Sequence, residues 1–324
     1  MRALTATAIA AVLLAGCGGG SDDEGNGSRD RPAPSPSDFP AAKGKTLQQV
    51  LSASSGEGPV VSPAARVLRL GDNRFAFGVF SLDHAQITDA QVAVYAAPGV
   101  GLERPAIGPF TARIEDLSTE PAFRAETTSS DPDAAQAIYI TQIPLDKPGA
   151  WTFAALVKEG DGYTGSLLPT PSEVGEFNPP DVGDPAPKVH TPTADEVADI
   201  SEIDTRVPPD DMHDEDLADV LGRKPVVLLF ATPQLCQSRI CGPVVDVAEQ
   251  VKREFGDRVA FIHQEVYNDN EISKGVRPQM RAYRLPSEPW LFVIDRSGKV
   301  STVIEGAFSV GELQDVVRRV AGGP

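Results

Sequence analysis

Two thiols five positions apart are the most reactive groups in the chain. Cys236 and Cys241 lie in Leu235-Cys236-Gln237-Ser238-Arg239-Ile240-Cys241-Gly242-Pro243. A thiol at a helix N-terminus has a lowered pKa, because the dipole and the free N–H groups stabilise the thiolate. Arg239 places a cation within one turn. Such a pair could exchange disulfides with other thiols. The spacing sets a condition. Five residues along a regular helix separate Cα atoms by roughly 8 Å, whereas a disulfide needs less than about 7 Å. A bridge therefore requires Cys236 to sit in a turn ahead of the helix.

The third cysteine belongs to another context. The run from Ala3 to Ala15 carries no charge and is shorter than the roughly 20 residues a membrane span needs. With Arg2 before it, it fits the apolar core of a secretory signal. Leu14-Ala15-Gly16-Cys17 resembles the bacterial lipobox. That resemblance implies a lipoprotein signal peptide over 1–16, acylation of Cys17 and anchorage to membrane lipid on the extracytoplasmic face. Residues 17–45 then read as lipid anchor and flexible tether, being Gly-rich, polar and poor in apolar residues. A disulfide could persist in that oxidising compartment.

Composition narrows the rest. The chain has 324 residues, 29 Lys plus Arg, 46 Asp plus Glu and a formal net charge of −17. Such an acidic chain repels phosphate backbones, so nucleic acid is not an expected partner. Three cysteines exclude a disulfide-dense scaffold and a four-cysteine zinc site. No metal and no cofactor is expected. Gly and Pro together are 58 of 324, above the average of about 12%, which predicts linkers and a turn-rich β domain.

The elements that must position the thiols fall into two folded regions. Within 46–168, Arg74–Ser81, Gln91–Ala97, Ala137–Ile143 and Ala150–Val157 are short β-branched or aromatic runs bounded by turn residues, as in an immunoglobulin-like sandwich. His84 sits in a loop and reads as a surface histidine. This region has no catalytic motif, which suits a spacer or partner-binding unit. Residues 169–192 form a Pro-rich linker, with prolines at 169, 171, 179, 180, 185, 187 and 192. Residues 193–324 read β-α-β-α-β-β-α. Pro225–Thr232 is an apolar strand, Val244–Phe255 an amphipathic helix, and Ser309 with Glu312 a capping box for the last helix.

That order resembles the thioredoxin fold. An apolar strand ending at Phe230 precedes a cysteine-bearing turn and a helix whose proline, Pro243, lies thirteen residues later, as in the family. Ser287-Glu288-Pro289-Trp290 opens a strand where the family carries its cis-proline. A hairpin, a glycine and a final helix follow. The resemblance implies a redox-active centre at Cys236, Cys241 and Pro289, supported by Arg239, Glu288 and Trp290. Thioredoxins use C-x-x-C, whereas this chain has C-x-x-x-x-C. The gapless alignment sets Cys236 near the nucleophile's place, and a second one sets Cys241 there. The family's buried acid is replaced by Leu229, leaving His263 and Glu265 on the next strand as candidate proton acceptors.

The leading expectation is a membrane-tethered thiol–disulfide oxidoreductase acting on exported protein thiols or disulfides. One alternative is a non-catalytic thioredoxin-fold adaptor with a structural cysteine pair. Another is a Cu(I)-delivery chaperone, since soft Cu(I) suits two thiolates.

Overall fold

The computed structural model describes residues 30–168 and 172–322. The signal segment 1–16, Cys17 as lipid anchor, the tether as far as 29, and Pro169 and Pro171 lie outside the described residues.

The first half is two facing sheets. One contains β1 (Val60–Pro63), β3 (Gly71–Phe80), β6 (Arg113–Asp116) and β7 (Ala137–Leu145) in the order β1-β3-β7-β6. The other contains β2 (Leu68–Arg69), β4 (Val92–Pro98), β5 (Ile107–Thr111), β8 (Gly149–Glu159) and β10 (Ser172–Gly175) in the order β2-β10-β8-β4-β5, with β9 (Gly162–Leu167) also paired to β8. Phe75 of β3 stacks on Phe153 of β8 with ring centroids 5.1 Å apart, inside a core that also holds Phe77, Tyr139 and Trp151.

Two expectations about the connecting segments are corrected. The tether is docked from Asp30 onward. Arg31 exchanges backbone hydrogen bonds with Ile114, Phe39 packs on Tyr163, and Phe39 and Ala42 are buried. These few apolar residues are enough to dock an otherwise polar stretch. From Ser172 onward the Pro-rich linker is likewise structured. Ser172–Gly175 is β10, between β8 and β2, and its prolines flank the strand rather than interrupt it. Further on, Gly183 and Ala186 donate to Val300 and Gly298 of the C-terminal half, so that half begins before residue 193.

The second half is a four-stranded sheet of β11 (Val226–Phe230), β12 (Ala260–Gln264), β13 (Trp290–Ile294) and β14 (Val300–Glu305), in the order β12-β11-β13-β14. β12 runs parallel to β11, and β13 and β14 are antiparallel. A long helix, α4 (Cys241–Phe255), and the last helix, α6 (Val310–Ala321), cover one face, and α5 (Pro278–Ala282) the other. The short helices are α1 (Leu47–Leu51), α2 (Glu126–Ser129) and α3 (Leu217–Val220). α4 ends at Gly256, whose φ of 53° suits a residue without Cβ. Ser309 caps α6 by accepting from the Glu312 N–H at 3.0 Å. Among the described residues no helix is long and apolar enough to cross a membrane.

The halves share a core. Side chains alternate along a strand, so β7 sends Ala137 and Tyr139 into the sandwich and Ile138 and Ile140 against α4. Polar contacts reinforce this seam. Arg74 reaches Glu312 and the Ala307 carbonyl, each at 2.7 Å. Buried Arg206 pairs with Asp246 of α4 at 3.0 Å and donates to the Phe123 carbonyl at 2.7 Å.

Candidate active site

Cys236 occupies the turn between β11 and α4, and Cys241 is the first residue of α4. This is the arrangement that the spacing demands for contact between the two. Arg239 makes the turn at φ 60°, a left-handed conformation unusual for a residue with a Cβ. The first half holds it there. The Arg239 carbonyl accepts from the Ala135 N–H, and its guanidinium lies 2.7 Å from Asp131.

The two thiols have opposite environments. Hydrogen bonding from the Cys241 thiol is the largest influence on Cys236. It outweighs burial and brings the Cys236 thiol down to about 6, helped by the Ser238 hydroxyl and the N–H groups of Cys241 and Ile240. The Ser238 oxygen is 3.2 Å from the Cys236 sulfur. Cys241 is wholly buried. Burial first, then the hydrogen bond to Cys236 and that group's charge, push its thiol well above the ordinary range, while the Thr232 N–H works the other way. Both thiols are free. Cys236 borders a cleft of about 420 Å³ between the halves, walled by Thr127, Asp131 and Ala134 opposite Pro233 and Gln237. α2 approaches so closely that a Cβ on Gly242 would stand 2.8 Å from the Thr128 hydroxyl oxygen.

The predicted supporting residues divide. The Glu288–Pro289 bond is cis. Glu288 is close enough to Cys241 for its charge to oppose the thiolate, and burial raises its own carboxyl. Tyr267, which sequence reasoning missed, donates to Glu288 at 3.4 Å and lies in the field of both cysteines. One aromatic in a loop gives no sequence signal for that role. Trp290 is corrected. It alternates to the other face of β13, stacks on Phe292 and donates to Ser287 at 3.0 Å. His263 and Glu265 are corrected as well. Their hydrogen bonds run to Asp210 at 2.7 Å and the Ala231 carbonyl at 3.2 Å for His263, and to Thr205 for Glu265. Burial disfavours charge on His263, but Asp210 more than reverses this and raises its pKa.

No protein-family model and no curated protein matches the chain. Two solved structures are similar to part of it. A thiol:disulfide interchange protein of the thioredoxin family from Chlorobium tepidum TLS is 21% identical, with a TM-score of 0.30, covering 46% of this chain and 100% of that one. A chain described as thiol:disulfide interchange protein DsbE, from Chlorobium tepidum, is 18% identical, with a TM-score of 0.32, covering 44% of this chain and 99% of that one. The strand and helix order described above makes about half of this chain a thioredoxin-like domain.

Proposed function

We propose that the chain is a membrane-tethered, extracytoplasmic thiol–disulfide oxidoreductase acting on exported proteins. The observation that carries this is the opposed protonation of two adjacent thiols, one lowered to about 6 beside a cleft and one raised and sealed. Cys236 enters as thiolate and attacks a substrate disulfide. One substrate sulfur leaves as thiolate and takes a proton from solvent, giving a mixed disulfide. Glu288 takes the proton of Cys241, whose sulfur then attacks Cys236. The second substrate thiolate departs, and a Cys236–Cys241 disulfide remains. Run backwards, the same steps oxidise a substrate dithiol and reduce the pair.

Anchorage rests on the lipobox-like Leu14-Ala15-Gly16-Cys17. An immunoglobulin-like assignment for the first half rests on its strand order. β1-β3-β7-β6 faces β5-β4-β8-β9, which is the sheet partition expected of that sandwich.

Cys236→Ser should reduce turnover of a scrambled-disulfide substrate to the uncatalysed rate, and wild-type turnover in that variant would refute the assignment. In cells fed a labelled fatty acid, the chain should take up label and partition with membranes. Cys17→Ser should lose both properties, and label retained in that variant would refute the anchor.

A further inference from the structure

We propose that Asp204, Asp210, His213 and His263 form a binding site for a divalent transition-metal ion, with Zn2+ the best match, separate from the cysteines. Three of the four sit on the segment preceding α3, and His263 is on β12. All are buried, and each offers a ligand atom within 4.8 Å of the others. His213 Nε2 is 3.5 Å from Asp204 Oδ2 and 3.5 Å from Asp210 Oδ1. His263 Nδ1 is 3.9 Å from Asp204 Oδ1 and 2.7 Å from Asp210 Oδ2. The two histidines face opposite oxygens of each carboxylate, and one donor atom from each residue lies within 4.8 Å of the rest. Small side-chain shifts close that span to the roughly 3.3 Å between ligands of a tetrahedral ion with bonds of about 2.0–2.1 Å.

The independent sign is His213 itself. It is 3% exposed, and its Nε2 is buried with no hydrogen-bond partner. At 3.5 Å the two carboxylate oxygens are too far for good N–H···O bonds, yet the nitrogen is aimed between them. A buried imidazole nitrogen in that position is costly without a ligand.

The surrounding contacts are those that orient metal ligands. The Nε2–H of His263 donates to the Ala231 carbonyl at 3.2 Å, which turns Nδ1 inward. Asp204 accepts from the Arg206 N–H at 2.7 Å and the Asp210 N–H at 2.8 Å. Asp210 accepts from the Met212 N–H at 2.9 Å. Each oxygen keeps a further lone pair.

Charge points the same way. Two carboxylates are sealed from water, and Arg206, the cation beside them, is committed to Asp246. One divalent ion balances the charge of two carboxylates. The donor set, two imidazole nitrogens and two carboxylate oxygens, disfavours Cu(I), which prefers sulfur, and Mg2+ or Ca2+, which take oxygen. With four protein donors the site is of the closed, structural type. The ion would pin residues 204–213 to β12 and, through Ala231, to the root of the cysteine turn.

The test uses the full chain as Cys236→Ser/Cys241→Ser, stripped with chelator and dialysed against Zn2+ alone. One equivalent should bind and raise Tm, and adding His213→Ala should abolish both effects. No bound Zn2+ in the double variant would overturn the proposal, as would one equivalent retained after His213→Ala. A wild-type measurement guards against misfolded variants. Reduced wild type loaded with one equivalent of Co2+ should show the ligand-field bands of four-coordinate nitrogen and oxygen without a thiolate-to-cobalt band. A strong thiolate band at one equivalent would overturn the assignment.

Discussion

Two ionisable clusters hang from consecutive residues at the end of β11, and they are built on opposite rules. The Thr232 N–H faces Cys241, and the Ala231 carbonyl holds His263. At Cys236 the charge to be held is that of a thiolate. Backbone N–H groups, a hydroxyl and a thiol receive it, and a cleft leaves one side open to a partner. Around His263 two carboxyl groups and two imidazoles converge, and no side chain of the four reaches the surface. An exchange centre needs a group that is stabilised yet reachable. A pinning cluster needs donor groups that converge out of reach of water. The contrast assigns chemistry to the sulfur side and scaffolding to the histidine side.

The sharpest way to break that division is Arg206→Met. It strands Asp246 in the seam, and removing one partner of a buried pair costs about 3–5 kcal/mol. Urea unfolding should show this loss, while the Cys236 thiol still titrates at about 6 if the sulfur side is independent. A shifted titration would mean that the two clusters act as one.

Next comes the thiol pair itself. Alkylation of Cys236 should rise with pH to a midpoint of about 6. In Cys241→Ala, which deletes the largest stabilising hydrogen bond, the midpoint should climb toward the ordinary thiol value of about 8.5. An unchanged midpoint would assign the low value to the helix N-terminus alone. The stability sign follows from the same shift. A thiol whose folded pKa is depressed stabilises the reduced protein fully above the ordinary thiol range. That contribution is lost as pH falls through about 6.

The smallest effect belongs to Asp131→Ala. The Arg239 side chain is half exposed, and such pairs contribute at most about 1 kcal/mol. Stability should barely move, but the Cys236 turn loses one of its two ties to the first half. A small rise in the alkylation midpoint would show that this tie shapes the sulfur environment.

Much of this was legible in the sequence, for identifiable reasons. Strands β3, β4, β7 and β8 announce themselves by β-branched and aromatic runs between turn residues. The C-terminal element order is carried by the apolar strand ending at Phe230, the amphipathic stripe of α4 and the Ser309 cap. The position of Cys236 ahead of the helix follows from chain geometry. The histidine cluster was hidden because His213 and His263 lie far apart in the chain, and only the pairing of the 204–213 segment with β12 brings them together. The fate of Trp290 turned on strand phase, which no local pattern fixes at a proline-led start. β10 was masked by prolines that bracket it.

β7 works as a party wall, with one face in each half's core. Neither half can open along it without exposing the other's interior, so the two melt as one cooperative unit rather than as separate foldons. Slow amide exchange should then run continuously from Tyr139 to α4. For Cys241, this couples the shielding of a chemically vulnerable sulfur to the global folding equilibrium. Oxidants reach it by passing through the whole molecule's unfolding or by way of Cys236.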